Sequence, residues 1–97
     1  MGGAWLDIKR VIVTVIGWDR VGIIAAVSKA LADNQVNILD ISQTILQGFF
    51  TMIMIVDISQ STLGIRGLQD ALSVVGEELG MQIQAQDEDV FHFMHRI

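Results

Sequence analysis

The chain is organised around one heptapeptide, Gly17-Trp18-Asp19-Arg20-Val21-Gly22-Ile23. The β-branched run that precedes it, Val11–Ile16, is typical of a strand. The residues that follow it are apolar at helical spacing, namely Ile23, Ile24, Val27, Ala30 and Leu31. The heptapeptide is therefore predicted to be a tight turn from a strand into a helix.

The residue types in this turn suit either of two roles. We expect Gly17 to adopt the positive φ that such a turn needs, and Asp19 to cap the helix by accepting the N–H of Val21 or Gly22. Gly22 leaves the first helical turn without a side chain where N–H groups point outward. A helix start of this kind favours an anion such as a carboxylate. In the alternative, the glycines only close the turn and the aspartate only caps it.

Composition narrows the class of protein. The 97 residues are 52% apolar, which allows one domain with a small core. The formal net charge of −5 disfavours nucleic acid and anionic membranes as partners. The absence of cysteine excludes disulfides, thiolate metal sites and cysteine nucleophiles. No apolar run is long enough to predict a membrane span, and the N-terminus lacks a secretory pattern, so we expect a cytoplasmic protein.

Four strands are predicted from the periodicity of apolar residues. Lys9–Ile16 and Phe49–Ile58 are apolar at both parities, so both should be central strands covered on two faces. Val36–Leu46 alternates, with its apolar residues at odd positions, and should have one core face. The dipeptide Gln47-Gly48 predicts a hairpin turn. Met81–Asp87 alternates cleanly and should be a half-exposed edge strand.

Two helices separate these strands. Val21–Asp33 should be amphipathic, ending at Asn34, and its buried stripe should be Ile23, Ile24, Val27, Ala30 and Leu31. The second helix should start from a cap within 59–62 and stop at Gly80, and its buried stripe should be Leu68, Leu72, Val75 and Leu79. The order βαββαβ predicts an α+β, ferredoxin-like fold: a four-stranded antiparallel sheet with two helices on one face and a short C-terminal helix. The opposite sheet face would stay apolar and open, which favours a homodimer or another contact.

Two segments of this pattern resemble the ACT domain family: the Gly17-x-Asp-x-x-Gly-Ile turn and Val-Asn-Ile-x-Asp-Ile-Ser-Gln at 36–43. The likeness is strongest to the ACT segments of formyltetrahydrofolate deformylases and glycine-cleavage repressors, but the chain is too short to carry a deformylase domain. Residues 9–88 would then form a stand-alone ACT domain, preceded by a lead-in at 1–8 and followed by a helical tail at 89–97. The resemblance implies a non-catalytic regulatory domain that dimerises side by side and binds an amino acid or similar small effector.

The resemblance also implies the site, which lies between the turn of one subunit and the second strand of its neighbour. One wall would be Gly17, Trp18, Asp19, Arg20, Val21, Gly22 and Ile23, and the other Asn37, Ile38, Leu39 and Asp40. Backbone N–H groups of Val21–Ile23 would take a carboxylate, and Asp40 or Asp19 an ammonium group. We favour Asp19 as the cap. The indole of Trp18 stands where many ACT turns carry small or polar residues, and would narrow the site.

Other groups of residues give weaker indications of function. His92 and His95 share a helical face near Asp87, Glu88 and Asp89, but a solvated face is favoured over a metal site. No nucleophile–base pair can be assembled, so no catalytic residue and no cofactor is expected. The aromatic Gly48-Phe49-Phe50 segment lacks the basic residues of an RNA-recognition module. The main alternative is an adaptor module that docks a partner enzyme or regulator through the apolar sheet face and the C-terminal tail, without a small ligand.

Overall fold

A computed structural model describes residues 8–89 of the chain. The strands are β1 (Arg10–Trp18), β2 (Asn37–Leu46), β3 (Phe49–Asp57) and β4 (Gln82–Asp87), and the helices are α1 (Ile23–Asp33) and α2 (Gly64–Leu79). The βαββαβ order is confirmed. Compared with the prediction, β1 runs two residues further, to Trp18, and α1 begins two residues later, at Ile23.

The sheet is antiparallel, with strand order β2-β3-β1-β4. The two strands that are apolar at both parities, β1 and β3, occupy the middle, as predicted. Strand β4 is an edge, and the inward residues Met81, just before it, and Ala85, within it, are 7% and 3% exposed. The ferredoxin-like architecture predicted from the pattern is therefore confirmed.

Both helices pack on one face of the sheet and share a single core with it. Val11, Val13 and Val15 of β1 point into this core, and so do Phe50, Met52, Met54 and Val56 of β3. Helix α1 contributes Ile23, Val27 and Leu31, whereas α2 contributes Leu68 and Leu72. The prediction that Ile24 joins this stripe is wrong, since its side chain is 39% exposed.

Strand β2 departs most from its prediction. Its odd residues Ile41 and Ile45 pair with core residues of β3, yet they remain 43% and 52% exposed. The reason is its place in the sheet: β2 is the other edge, and the helices barely reach it. A register shift between Ile38 and Asp40 leaves Leu39 without a partner in the ladder, as in a β-bulge.

Local backbone geometry explains the turns and the helix ends. Gln47 and Gly48 have φ of 53° and 83°, as a two-residue hairpin turn requires, which confirms the hairpin. Helix α1 ends near Asn34 as predicted, but the left-handed residue is Gln35, at φ 59°. Helix α2 stops at Gly80 as predicted, whereas its N-cap is Leu63, with no side-chain cap among the described residues. The cap expected within 59–62 is therefore wrong.

Ion pairs and hydrogen bonds to a carboxylate stabilise the end of the sheet where β1 begins. Lys9 Nζ lies 3.1 Å from Asp87 Oδ2, and Arg10 Nε lies 3.1 Å from Glu88 Oε2. Asp57 Oδ1 accepts the backbone N–H of Lys9 and of Ser59, at 3.1 and 2.9 Å. Glu88 and Asp89 begin a helical turn, but the predicted tail helix beyond them lies outside the described residues.

Candidate functional site

The turn from β1 into α1 consists of Asp19–Gly22 and is fixed by the backbone. The N–H of Asp19 donates to the carbonyl of Gly48 at 2.7 Å, which anchors the turn to the β2–β3 hairpin. Gly22 is the N-cap residue, at φ 92°, and its carbonyl accepts the N–H of Ala26 at 2.9 Å. A Cβ at Gly22 would meet nothing within 4 Å, so this position needs glycine because of its backbone angle and not because of crowding.

The prediction that Asp19 caps α1 is wrong. No side chain of the described residues hydrogen-bonds to the start of this helix, and no acidic residue lies in its first turn. The N-cap of α1 is Gly22, three residues after Asp19, because β1 continues to Trp18 and the turn comes after it. The N–H groups of the first turn therefore have no partner within the helix and carry the positive end of its dipole. The Asp19 side chain is exposed instead.

The prediction that Gly17 supplies a positive φ is also wrong, because Gly17 lies within β1. A Cβ on it would approach Met81 Sδ to 2.7 Å and Met81 Cε to 3.1 Å. Gly17 therefore makes room for the Met81 side chain, which is 7% exposed. Its role is one of packing between β1 and the start of β4.

A cavity of about 260 Å³, largely open to solvent, lies beside the turn. It lies between the turn, the first residues of α1 and the helix-facing side of the hairpin. Its lining includes four residues of the predicted first wall: Asp19, Arg20, Gly22 and Ile23. Gln43, Ile45 and Phe50 face them from β2 and β3. Pockets for drug-sized ligands run from roughly 300 to 1,000 Å³, so this volume suits a smaller molecule.

Trp18 does not line this cavity. In the register of the sheet it pairs with Phe49, on the face away from the helices. The two rings meet edge to face, with centroids 5.7 Å apart and an angle of 87° between their planes. The indole is 71% exposed and does not narrow the cavity of this chain; its effect on a site between two subunits stays a prediction.

The two predicted walls do not meet within one chain. Asn37 pairs with Asp57, which pairs with Arg10 at the start of β1, whereas the turn follows Trp18 at its end. Eight residues of strand separate these ends, or roughly 26 Å. The carboxylate of Asp40 accepts the N–H of Ile41 at 2.8 Å, which orients it locally. Asn37–Asp40 could face the cavity only from a second copy of the chain.

Sequence reasoning missed five residues of the cavity lining: Ile24, Ala25, Gln43, Ile45 and Phe50. Gln43 could have been identified from the sequence, because it is a polar residue among the apolar odd positions of β2. Ile45 and Phe50 gave none, since both read as ordinary core residues. The structure places them at the end of the hairpin next to α1, where Phe50 is 2% exposed and Ile45 is 52% exposed.

The remaining sequence features do not build a second site in residues 8–89. No group of three histidine, aspartate or glutamate side chains suited to a metal occurs in this part of the chain. His92 and His95 lie outside the described residues. No helix within the described range is long and apolar enough to cross a membrane.

Comparison with known proteins agrees with this architecture. A UPF0237 protein of Methanocaldococcus jannaschii is 55% identical over 89 residues, which span 92% of this chain and 99% of the relative. An ACT domain protein from Streptococcus pneumoniae has a similar solved structure, with a TM-score of 0.76 and 36% identity over 87% of this chain and 94% of that one. A formyltetrahydrofolate deformylase from Pseudomonas syringae matches with a TM-score of 0.77 and 26% identity, over 82% of this chain but 28% of its own. The pattern of the ACT domain fits residues 9–86, and on this match the chain belongs to the ACT domain family.

Proposed function

We propose that the protein is a non-catalytic regulatory module that binds an amino acid or a related small metabolite in the turn cavity and acts as a homodimer in the cytoplasm. ACT domains are, in general, regulatory domains that bind small molecules. The observation that carries the proposal is the cavity itself, which combines an uncapped helix start with one acidic and one basic side chain, Asp19 and Arg20.

The chemistry of the cavity matches the two charges of an amino acid. The free N–H groups at the start of α1 would accept the carboxylate of the ligand. Asp19, which has no capping bond to make, would take the ammonium group through a charge-assisted hydrogen bond. Ile45 and Phe50 would contact the ligand side chain, and Gln43 can both donate and accept. This assignment replaces the capping role that the sequence suggested for Asp19.

The dimer would complete the cavity through the β2 edge. Strand β2 pairs only with β3, so one side of its backbone is open among the described residues. In an antiparallel pair of two β2 strands with Ile41 opposite Ile41, Asn37–Asp40 of the second copy would lie opposite Ser42–Ile45 of the first. Gln43 and Ile45 line the cavity, so the second wall would reach it in this arrangement. The same pairing would remove an exposed strand edge.

Titration calorimetry against the common L-amino acids tests the proposal. We expect at least one to give a saturable heat, with one site per subunit or per interface. Asp19→Asn should weaken the binding of that ligand at least about tenfold, since a charged hydrogen bond contributes roughly 1.5–3 kcal/mol. Asp70→Asn, on the exposed side of α2, is the matched control and should change nothing. Silence across the whole panel with the fold intact would contradict the proposal.

The second candidate function is an adaptor, and it rests on the open sheet face. Trp18, Leu46, Phe49 and Ile53 are between 42% and 71% exposed there. Exposed apolar patches mark protein contacts in many soluble proteins. An adaptor would give no heat with any amino acid, and Trp18→Ser or removal of residues 89–97 would abolish its contact with a partner enzyme or regulator. Under the sensor proposal the same changes leave the amino acid affinity intact.

A further inference from the structure

Arg20 connects the turn to the far end of α2. Its Nη1 donates to the carbonyl of Leu79 at 3.1 Å, across 59 residues of sequence. Leu79 is the last residue of α2, so its carbonyl belongs to the group that lacks a donor within the helix. A cation at this place also complements the negative end of the helix dipole. The bond therefore stabilises the last turn of α2.

The segment that receives this bond is closely packed against its neighbours. The N–H of Met81 donates to the carbonyl of Gly76 at 2.9 Å, as in a Schellman motif, and Gly80 holds the left-handed position. Gly76 is buried, and a Cβ on it would approach the carbonyl of Met81 to 2.8 Å. Met81 in turn fills the notch at Gly17. A shift of residues 79–81 would therefore be felt in α2, β1 and β4 together.

Arg20 also lines the turn cavity, beside Asp19. Its side chain is exposed, so no packing holds it in one place. A guanidinium can bond to a carboxylate through two parallel N–H···O bonds between opposite charges, which adds energy and specificity over a single bond to a neutral carbonyl. A carboxylate in the cavity therefore competes with the Leu79 carbonyl for the same group.

We infer that Arg20 is a latch: with the cavity empty it holds the C-terminal turn of α2, and with a carboxylate ligand bound it turns to the ligand and releases that turn. The inference rests on the proposed function, since it needs a carboxylate in the cavity. It adds a route by which ligand binding in the cavity changes a second surface, at the end of α2. The released segment borders an open groove of about 580 Å³ between α2 and the β4 edge, which Gly76, Glu77, Gly80 and Met81 help to line.

Hydrogen exchange of the full chain, without any amino acid, tests the contact itself. Arg20→Gln replaces the guanidinium donor by a shorter, neutral amide and should speed the exchange of amides in 79–83 by about threefold or more, as expected for the loss of one exposed hydrogen bond. The control is Arg66→Gln, at an exposed arginine of α2, and it should leave the exchange rates of 79–83 unchanged. Equal rates in Arg20→Gln and the unmodified chain would overturn the latch.

A second arm tests the switch by adding an equimolar mixture of the common L-amino acids, with the corresponding amino acid amides as a carboxylate-free comparison. The latch requires the acids, but not the amides, to protect residues 19–26 and to speed exchange in 79–83 toward the rate in Arg20→Gln. Protection of 19–26 with 79–83 unchanged would overturn the latch and leave the binding function standing. No change in either segment would overturn both the binding function and a ligand-driven latch.

Discussion

The indole of Trp18 and the ring of Phe49 meet edge to face across the two central strands, with their centroids 5.7 Å apart. They are register partners at the end of β1 and the start of β3, on the face that the helices leave uncovered. Gly48 sits below this pair, and a Cβ on it would lie 3.8 Å from the indole. The aromatic pair thus fixes the hairpin to which the Asp19 N–H is bonded, without entering the cavity.

Trp18→Ala should lower the free energy of unfolding by about 1 kcal/mol, because the edge-to-face pair is lost while most of the indole was already exposed. Urea unfolding of Trp18→Ala, Phe49→Ala and the double variant should give a coupling energy of about 0.5–1.5 kcal/mol. The affinity for any amino acid ligand should not change. A marked loss of affinity would mean that the indole contributes to the site after all.

Gly17→Ala should destabilise the fold by about 1–3 kcal/mol, since the new Cβ overlaps Met81 Sδ. Met81→Val removes the sulfur, so the double variant should lose less stability than the sum of the single changes. Chemical unfolding of the four proteins measures this non-additivity. Strictly additive losses would show that Met81 is not what restricts position 17 to glycine.

Gln35→Gly should stabilise the protein by up to about 1 kcal/mol. Gln35 holds φ 59° after α1, a conformation in which a side chain costs roughly 1–2 kcal/mol, and glycine loses part of that gain through its greater freedom when unfolded. Gln60→Gly, in the exposed loop before α2, controls for that loss of chain stiffness. A lower melting temperature for Gln35→Gly than for the control would contradict the assignment.

Asp57 should make the fold acid-sensitive. Partial burial by itself raises the pKa of this carboxyl, but hydrogen bonds from Ser59 and from the backbone of Lys9 outweigh it and hold the pKa below its ordinary value of 3.8. A depressed folded pKa stabilises the native state above the unfolded pKa, and this contribution is lost as pH falls through the folded value. Stability should therefore decline below about pH 4.

Asp57→Asn should reduce this decline, because the variant has no proton to take up at that position. Thermal unfolding between pH 3 and pH 7 measures the slope, with Asp70→Asn as the exposed comparison. The two variants should differ most near neutral pH and converge at the acid end of the range. Identical pH profiles for both would mean that the N–H bonds to Asp57 do not persist in solution.

Particular residues explain why the fold could be predicted from the sequence. The strands β1 and β3 are apolar at both parities, which is visible in each strand by itself, and the structure places both in the middle of the sheet. The dipeptide Gln47-Gly48 marks the hairpin because few residue pairs accept two positive φ angles. Gly80 marks the end of α2 for a similar local reason. Alternation, helical spacing and turn chemistry therefore determined the order of elements and the family resemblance.

Tertiary structure decided the roles of residues whose contacts lie far away in the sequence. Gly17 has the local signature of a turn glycine, but its constraint is Met81, which arrives 64 positions later to form the start of β4. Asp19 fits a cap by type, yet β1 continues to Trp18 and carries it out of reach of the helix start. The bond from Arg20 to Leu79 and the meeting of the turn with Gln43 and Ile45 likewise follow from how the elements pack. Periodicity within a segment carries no information about which distant segment will lie beside it, and the cavity is formed by such neighbours.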